Sequence, residues 1–311
     1  MKPPLAGLAV AALAAAVTLA AQAQQDPAVR LPAVPFGTGV GQPPATRPGG
    51  RMDTGSFGQG RGGMRFGQLD RQETADLSPG QLPYDGRFVF ARLRYDQGLS
   101  PDELGGARLF GRRGRGGQGP PWSHDHPRAE RNFMKIISEI TTVEAYTGPL
   151  GGTIVAIGSP DLFRYPVSYM AEAGFWTQTD EEAKNLRAYL LKGGFIIFDD
   201  FRGSDWTNFE AQMKRVLPDV RMVEIPLAHP IFHSFFDILT LEFRQYYDRD
   251  LPYFIGAYLD NDPNKRLLFI ANYNNDVGEY WEWSDTGWTP IDLSNEAYKL
   301  GVNYLIYGLT H

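Results

Sequence analysis

The run GGFIIFDDFRG, residues 193–203, constrains the fold more than any other part of the chain. Glycines bracket a short stretch of β-branched and aromatic residues, the pattern of a buried central strand. Asp199 and Asp200 close the run. Carboxylates are costly inside a buried strand, so they belong where it emerges. In open α/β sheets the carboxyl ends of the strands are where ligands bind. Adjacent strand residues point to opposite faces, so one aspartate is expected to face a cleft and the other to brace the corner. We assign the cleft to Asp200 and the scaffold to Asp199.

The flanking segments supply the rest of such a sheet. RFVFARLRY, residues 87–95, reads as a first strand with a basic exit. Phe133, Ile136, Ile137 and Ile140 fall at i, i+3, i+4 and i+7, one apolar stripe of a helix with Pro127 in its first turn and Asp125 or Ser123 as its cap. A strand over 153–157 runs out towards Ser159 and Asp161. TQTDEEAKNLRAYLLKGG is a helix opened by a Thr179–Glu182 capping box and stopped at Lys192 and Gly193. A further helix is expected over about 206–217, a strand within VRMVEI (220–225), strands in YFIGAYLD and RLLFIANY, and a closing helix near 295–307. NYNNDVGEYWEW, residues 272–283, reads as a strand end running into a polar loop with aromatics. Strands alternating with helices predict an α/β fold: a mostly parallel sheet with helices on both faces, in three layers of the flavodoxin-like kind.

The amino-terminal part is different. Lys2, an apolar run over 5–19 and the AQAQ of residues 21–24 read as a signal peptide cleaved near Ala23, the alternative being an uncleaved anchor. Residues 24–83 are dominated by Gly, Pro, Gln and Arg without a sustained apolar period, so they read as a disordered linker. Residues 84–311 suffice for one α/β domain, with a mobile Gly/Arg-rich loop over 105–121. The chain has no cysteine, which excludes thiol catalysis, disulfides and lipoprotein attachment. Its net charge of -6 argues against nucleic acid as a partner. These features predict a periplasmic or secreted protein, with no transmembrane span once the signal is removed.

A parallel sheet would gather Arg92 and Arg94, Ser159 and Asp161, and Asp199 and Asp200 on one edge. His229, in LAHPIFHSFF, is the histidine we expect to join them as an acid–base partner. Asp125 in SHDHP, and Asn272, Asn275 and Glu282 in NYNNDVGEYWEW, are further candidates for ligand contact. His124, Asp125 and His126 look like metal ligands, but their spacing places no third ligand, so no metal or other cofactor is assigned. No Gly-rich phosphate loop and no matched serine–histidine–aspartate set is present.

Taken in order, FARLRY, W…DHPRAERNF, RYPVSYM, LRAYLLKGGFIIFDDF, AHPIF, NYNNDVGEYWEW and KLGVNYLIYGLTH resemble the bacterial domain-of-unknown-function family 4159, over residues 86–311. The resemblance implies tyrosine in place of His126, and makes the Gly/Arg loop an insertion. It implies a fold like that of class I glutamine amidotransferases, in which a cysteine sits just past the strand that corresponds to 195–198. Here Asp199 and Asp200 hold that corner, so thioester chemistry is excluded. Some relatives join this domain to membrane-anchored von Willebrand-type proteins, which implies cell-envelope assemblies. Fold kinship alone transfers no function. Two readings stand: a non-catalytic envelope domain that binds a small molecule or protein partner, and a hydrolase or carbohydrate-active enzyme using Asp199 or Asp200 with His229, with or without a metal.

Overall fold

The computed structural model describes Leu82, residues 85–97, residues 119–243, Gln245 and residues 250–311. The signal segment 1–23, the linker 24–83 apart from Leu82, and residues 105–118 of the Gly/Arg loop lie outside the described residues.

A seven-stranded sheet forms the middle layer. Strand β1 (Phe90–Arg94) lies parallel between β3 (Gly152–Ala156) and β4 (Val167–Ala171). β4 continues in parallel to β6 (Phe195–Phe201), and β6 to β9 (Leu267–Tyr273). The far edge is antiparallel: β8 (Tyr253–Tyr258) pairs with β9, and the two-residue β7 (Val223–Glu224) with β8. Counted in chain order, the five parallel strands stand 2-1-3-4-5, so the winding reverses between β1 and β4. That is a doubly wound α/β sheet, whose ligand crevices open at the carboxyl ends of its strands. β6 occupies the centre, parallel on both sides, and every residue of it is buried. A separate two-stranded ribbon pairs β2 (Asp96–Gln97) with β5 (Trp176–Thr177).

Alternation along β6 builds two cores. Ile196 and Phe198 face α2 (Asp180–Leu191) and α3 (Asp205–Val216), against Leu186, Leu190, Phe209 and Met213. Phe195 and Ile197 face α1 (Arg128–Ile140), α4 (Val277–Trp283) and α5 (Ile291–Thr310), whose contributions include Phe133, Ile137, Trp281 and Leu305. Phe133 stacks on Trp281 with ring centroids 4.5 Å apart. The capping box of α2 is formed: Thr179 Oγ1 accepts from the Glu182 N–H, and the Glu182 carboxylate accepts from the Thr179 N–H. Gly193 ends that helix at φ +116, a conformation a residue with a Cβ rarely adopts.

Four local expectations are corrected. Neither Asp125 nor Ser123 caps α1: Pro127 stands at the N-cap without a side-chain hydrogen bond, and Ser123 Oγ donates to the Pro120 carbonyl instead. The apolar stripe of α1 fades along its length, since Phe133 and Ile137 are buried while Ile140 is exposed. Residues 277–283 form a helix rather than a polar loop. Finally, β4 was not among the strands read from the pattern. Five residues between Pro166 and Glu172 are too few to show a period, and only pairing with both β1 and β6 makes them a strand.

Candidate functional site

Asp199 is the last β6 residue paired with β4, opposite Ala171. It points into the α1/α4/α5 face and is fully buried. Oδ2 accepts from the Tyr169 hydroxyl at 2.7 Å and from the Gly278 N–H at 2.8 Å, and Oδ1 accepts from Asn272 Nδ2 at 3.0 Å. Asn272 in turn accepts from the Tyr304 hydroxyl at 3.0 Å. This carboxylate ties β4, β6, β9, the start of α4 and α5 into one knot. Burial pushes its pKa up, and the donors around it pull against that shift.

Asp200 breaks the register. Its φ is +53, and the β6–β9 pairing shifts between Phe198 and Phe201. An irregularity of this kind re-aims a side chain at a strand end. The re-aimed carboxylate meets His124, with Nδ1 and Oδ2 2.9 Å apart, and lies 3.4 Å from Arg202 Nη2. Asp199 is thus bonded into the sheet and its helices, whereas Asp200 faces His124 and Arg202, and both are buried.

His124 and Asp125 arrive on the segment that leads into α1. This segment packs over β1 and β4 through the turn Pro121–Ser123. Arg92, buried in β1, holds it there. Its Nη1 donates to the carbonyls of Trp122 (3.1 Å) and His124 (2.7 Å), and its Nε donates to Glu130 of α1. His126 Nδ1 lies 3.2 Å from the same Glu130 oxygen. Burial alone would raise the Glu130 pKa, but Arg92 and His126 outweigh it and hold it at about 2. Asp125 follows at φ +65 with its side chain wholly buried, Oδ1 3.2 Å from His124 Nδ1.

The third wall is α4. Asp276 is its N-cap, accepting from the Glu279 N–H at 3.0 Å. Gly278 lets the helix close down: a Cβ there would lie 2.5 Å from Asp125 Oδ2 and 2.6 Å from the Tyr169 hydroxyl. Asp276 and Glu279 bring two more carboxylates. His124, Asp125 and Glu279 can each place a ligand atom within 4.8 Å of the others, and so can His124, Asp200 and Asp276. Carboxylates from β6 and the start of α4 thus stand beside His124 and Asp125, a neighbourhood that the SHDHP spacing does not reveal.

The electrostatics follow from burial in a shared, carboxylate-rich space. Burial lifts the pKa of Asp125 and Asp276 well above the usual carboxylate range, and that of Glu279 upward. Their mutual repulsion adds to this, and His124 opposes it. For His124, burial disfavours the charged ring, but Asp125 and Asp200 prevail and push its pKa up to about 12.

The sequence candidates separate clearly. Arg92, Asp125, Asp199, Asp200 and Asn272 meet at or beneath this edge. Asn275 lies behind it, its Oδ1 accepting from Gln245 and from the Asp276 N–H. Glu282 adds its charge near Asp125. Arg94 is half-buried at the end of β1. Asp161 is turned to solvent beside Arg164 at 3.3 Å. His229 is not brought to this edge. Its ring lies against Tyr258 and Tyr307, whose hydroxyl accepts from the N–H of Leu267 where β9 begins. That is the opposite end of the parallel strands, and burial there, helped by His311, lowers its pKa to about 4. The histidine beside Asp200 is His124. Asp276 and Glu279 escape sequence reasoning because a segment read as loop gives no reason to aim them. The D-x-x-E spacing of 276–279, a capping pattern, was the available signal.

No described helix is long and apolar enough to cross a membrane. A search of curated proteins gives no significant match. The family model of a domain of unknown function, DUF4159, matches residues 90–309, which spans the sheet and every residue of the site. The chain belongs to the DUF4159 family.

Proposed function

We propose that this chain is an exported, non-catalytic binding domain of the bacterial cell envelope, and that its ligand or partner is held at the carboxyl edge of the sheet around Asp200 and His124. One observation carries the reading: four separate segments converge buried charged groups where doubly wound sheets bind ligands, although burying them is costly. Binding sites accept such a cost for selectivity. The hydrolase reading keeps one specific support, the 2.9 Å contact between His124 and Asp200, with His124 in the place expected for His229.

The test is a thermal-shift screen of envelope glycan fragments and short peptides on wild type and Asp200→Asn, beside turnover assays on generic ester, glycoside and phosphoester substrates. A saturable shift that the variant loses, without turnover, supports binding. Turnover lost in the variant overturns it in favour of the hydrolase. Export is tested by sequencing the amino terminus of protein recovered from the periplasm, with Gln24 the expected first residue. Retention in the cytoplasm refutes it.

A further inference from the structure

The geometry points to a divalent-cation site of the manganese class at this edge, built from His124, Asp125, Asp200, Asp276 and Glu279. The inference rests on reading the carboxyl edge as a binding site, and it names the first thing bound there.

The argument starts from Asp125. Its side chain has no solvent exposure, and neither carboxylate oxygen receives a hydrogen bond. Buried polar atoms are nearly always satisfied, and an isolated buried carboxylate is among the least tolerated. Asp125 Oδ1 lies close to His124 Nδ1, yet that nitrogen makes no well-formed hydrogen bond either. A ring nitrogen and carboxylate oxygens gathered near one point form a donor set that a cation can enter by displacing the proton from the ring.

The second strand of the argument is the ligand set. His124–Asp125–Glu279 and His124–Asp200–Asp276 share the His124 ring, so one ion held by that ring can draw carboxylates from both sets. Bonds of about 2.1 Å put opposite ligands of an octahedral ion about 4.2 Å apart, and each set, with its atoms within 4.8 Å of one another, is close to that size. The donors come from β6, the start of α4 and the segment before α1, so the ion would link three elements.

The chemistry of the donors selects the cation. Carboxylate oxygens suit magnesium, calcium and manganese, while an imidazole suits the later first-row metals. One nitrogen among several oxygens suits manganese, which accepts both. Thiophilic metals have no ligand here, because the chain contains no cysteine.

The experiment uses the full chain, stripped with chelator and titrated with Mn2+ while the free-ion electron paramagnetic resonance signal is followed. One saturable Mn2+ per chain is expected. Affinity should fall at least about 100-fold in Asp125→Asn and in His124→Gln, since even outer-shell losses at metal sites cost about 10–100-fold. His229→Gln, at the other end of the sheet, should bind as wild type. Asp125→Asn keeps the volume nearly constant and replaces a buried carboxyl group whose oxygens accept no hydrogen bond. Without metal it should therefore melt at or above the wild-type temperature, and Mn2+ should raise only the wild-type value. No saturable binding of Mn2+, Mg2+, Ca2+ or Zn2+, or undiminished binding in both site variants, overturns the inference. Saturation by Zn2+ alone overturns the choice of cation. An organic ligand that shifts metal-free protein through Asp200 while no cation binds would sink this inference and leave the binding-domain reading standing. Silence to both removes both.

Discussion

Replacing Asp199 with alanine should destabilise the domain more than any single change at the neighbouring Asp200. Asp199 accepts from the Tyr169 hydroxyl, Asn272 Nδ2 and the Gly278 N–H, and none of these donors reaches solvent through it. A buried donor left unsatisfied costs about 1–3 kcal/mol. The Tyr169 hydroxyl can rotate, whereas the Gly278 N–H is fixed by the start of α4 and the Asn272 amide by its bond to Tyr304. Two firmly held donors and one partly relieved give a loss of about 3–5 kcal/mol. At about 2–4 °C per kcal/mol for a domain of this size, the melting temperature should fall by about 6–20 °C. Asp199→Asn is the control. Its carbonyl oxygen can still accept from Tyr169 and Gly278, and its amide faces Asn272, which must turn over and change its partnership with Tyr304. That exchange costs about 1–2 kcal/mol. Differential scanning calorimetry on both variants, with chemical denaturation for the free energies, decides the matter. A fall within about 2 °C for the alanine variant, or equal losses for both, refutes the assignment of Asp199 to the scaffold.

Arg92→Met should cost about 3–5 kcal/mol by stranding the Glu130 charge, and the Arg92→Met/Glu130→Met double variant should recover much of it, as urea melts would show. Because Glu130 is held at about 2 against an ordinary 4.5, its contribution is complete above pH 4.5 and fades as pH falls towards 2. The stability gap between wild type and Glu130→Gln should therefore narrow across that window. His229 works in the same direction, because the fold disfavours its protonated form too. Its neutral ring has a pKa near 4 in the fold against 6.5 unfolded, so stability should decline as pH falls from 6.5 to 4, a slope that His229→Asn should lack in denaturation at pH 7 and 4.5. Thr179→Ala removes one half of the α2 capping box and should lower the melting temperature by about 2–4 °C, from a loss near 1 kcal/mol.

The amino-acid sequence by itself determined the class of the fold and the place of its central strand. Residues 195–198 carry that information because an all-apolar run between glycines is stable only when both faces are covered. It also determined the α2 boundaries, since capping and stop signals act within a few residues of the helix they end. Alternation along a strand gives reason to expect the two aspartates to differ, but it does not say where Asp200 points. Only the tertiary structure decided who meets them. Strand β4 exists through its two neighbours, α4 forms where composition suggests a loop, and Asp200 is turned by a register shift that no single segment encodes. Sequence reading pairs His229 with the aspartates and leaves His124 in a metal-like pattern, although each stands beside a proline-containing turn. The order of the strands sends one to the carboxyl edge and the other to the amino edge. The direction in which a strand runs, and which strand lies beside it, are settled by long-range packing, and a cluster drawn from four segments inherits that dependence.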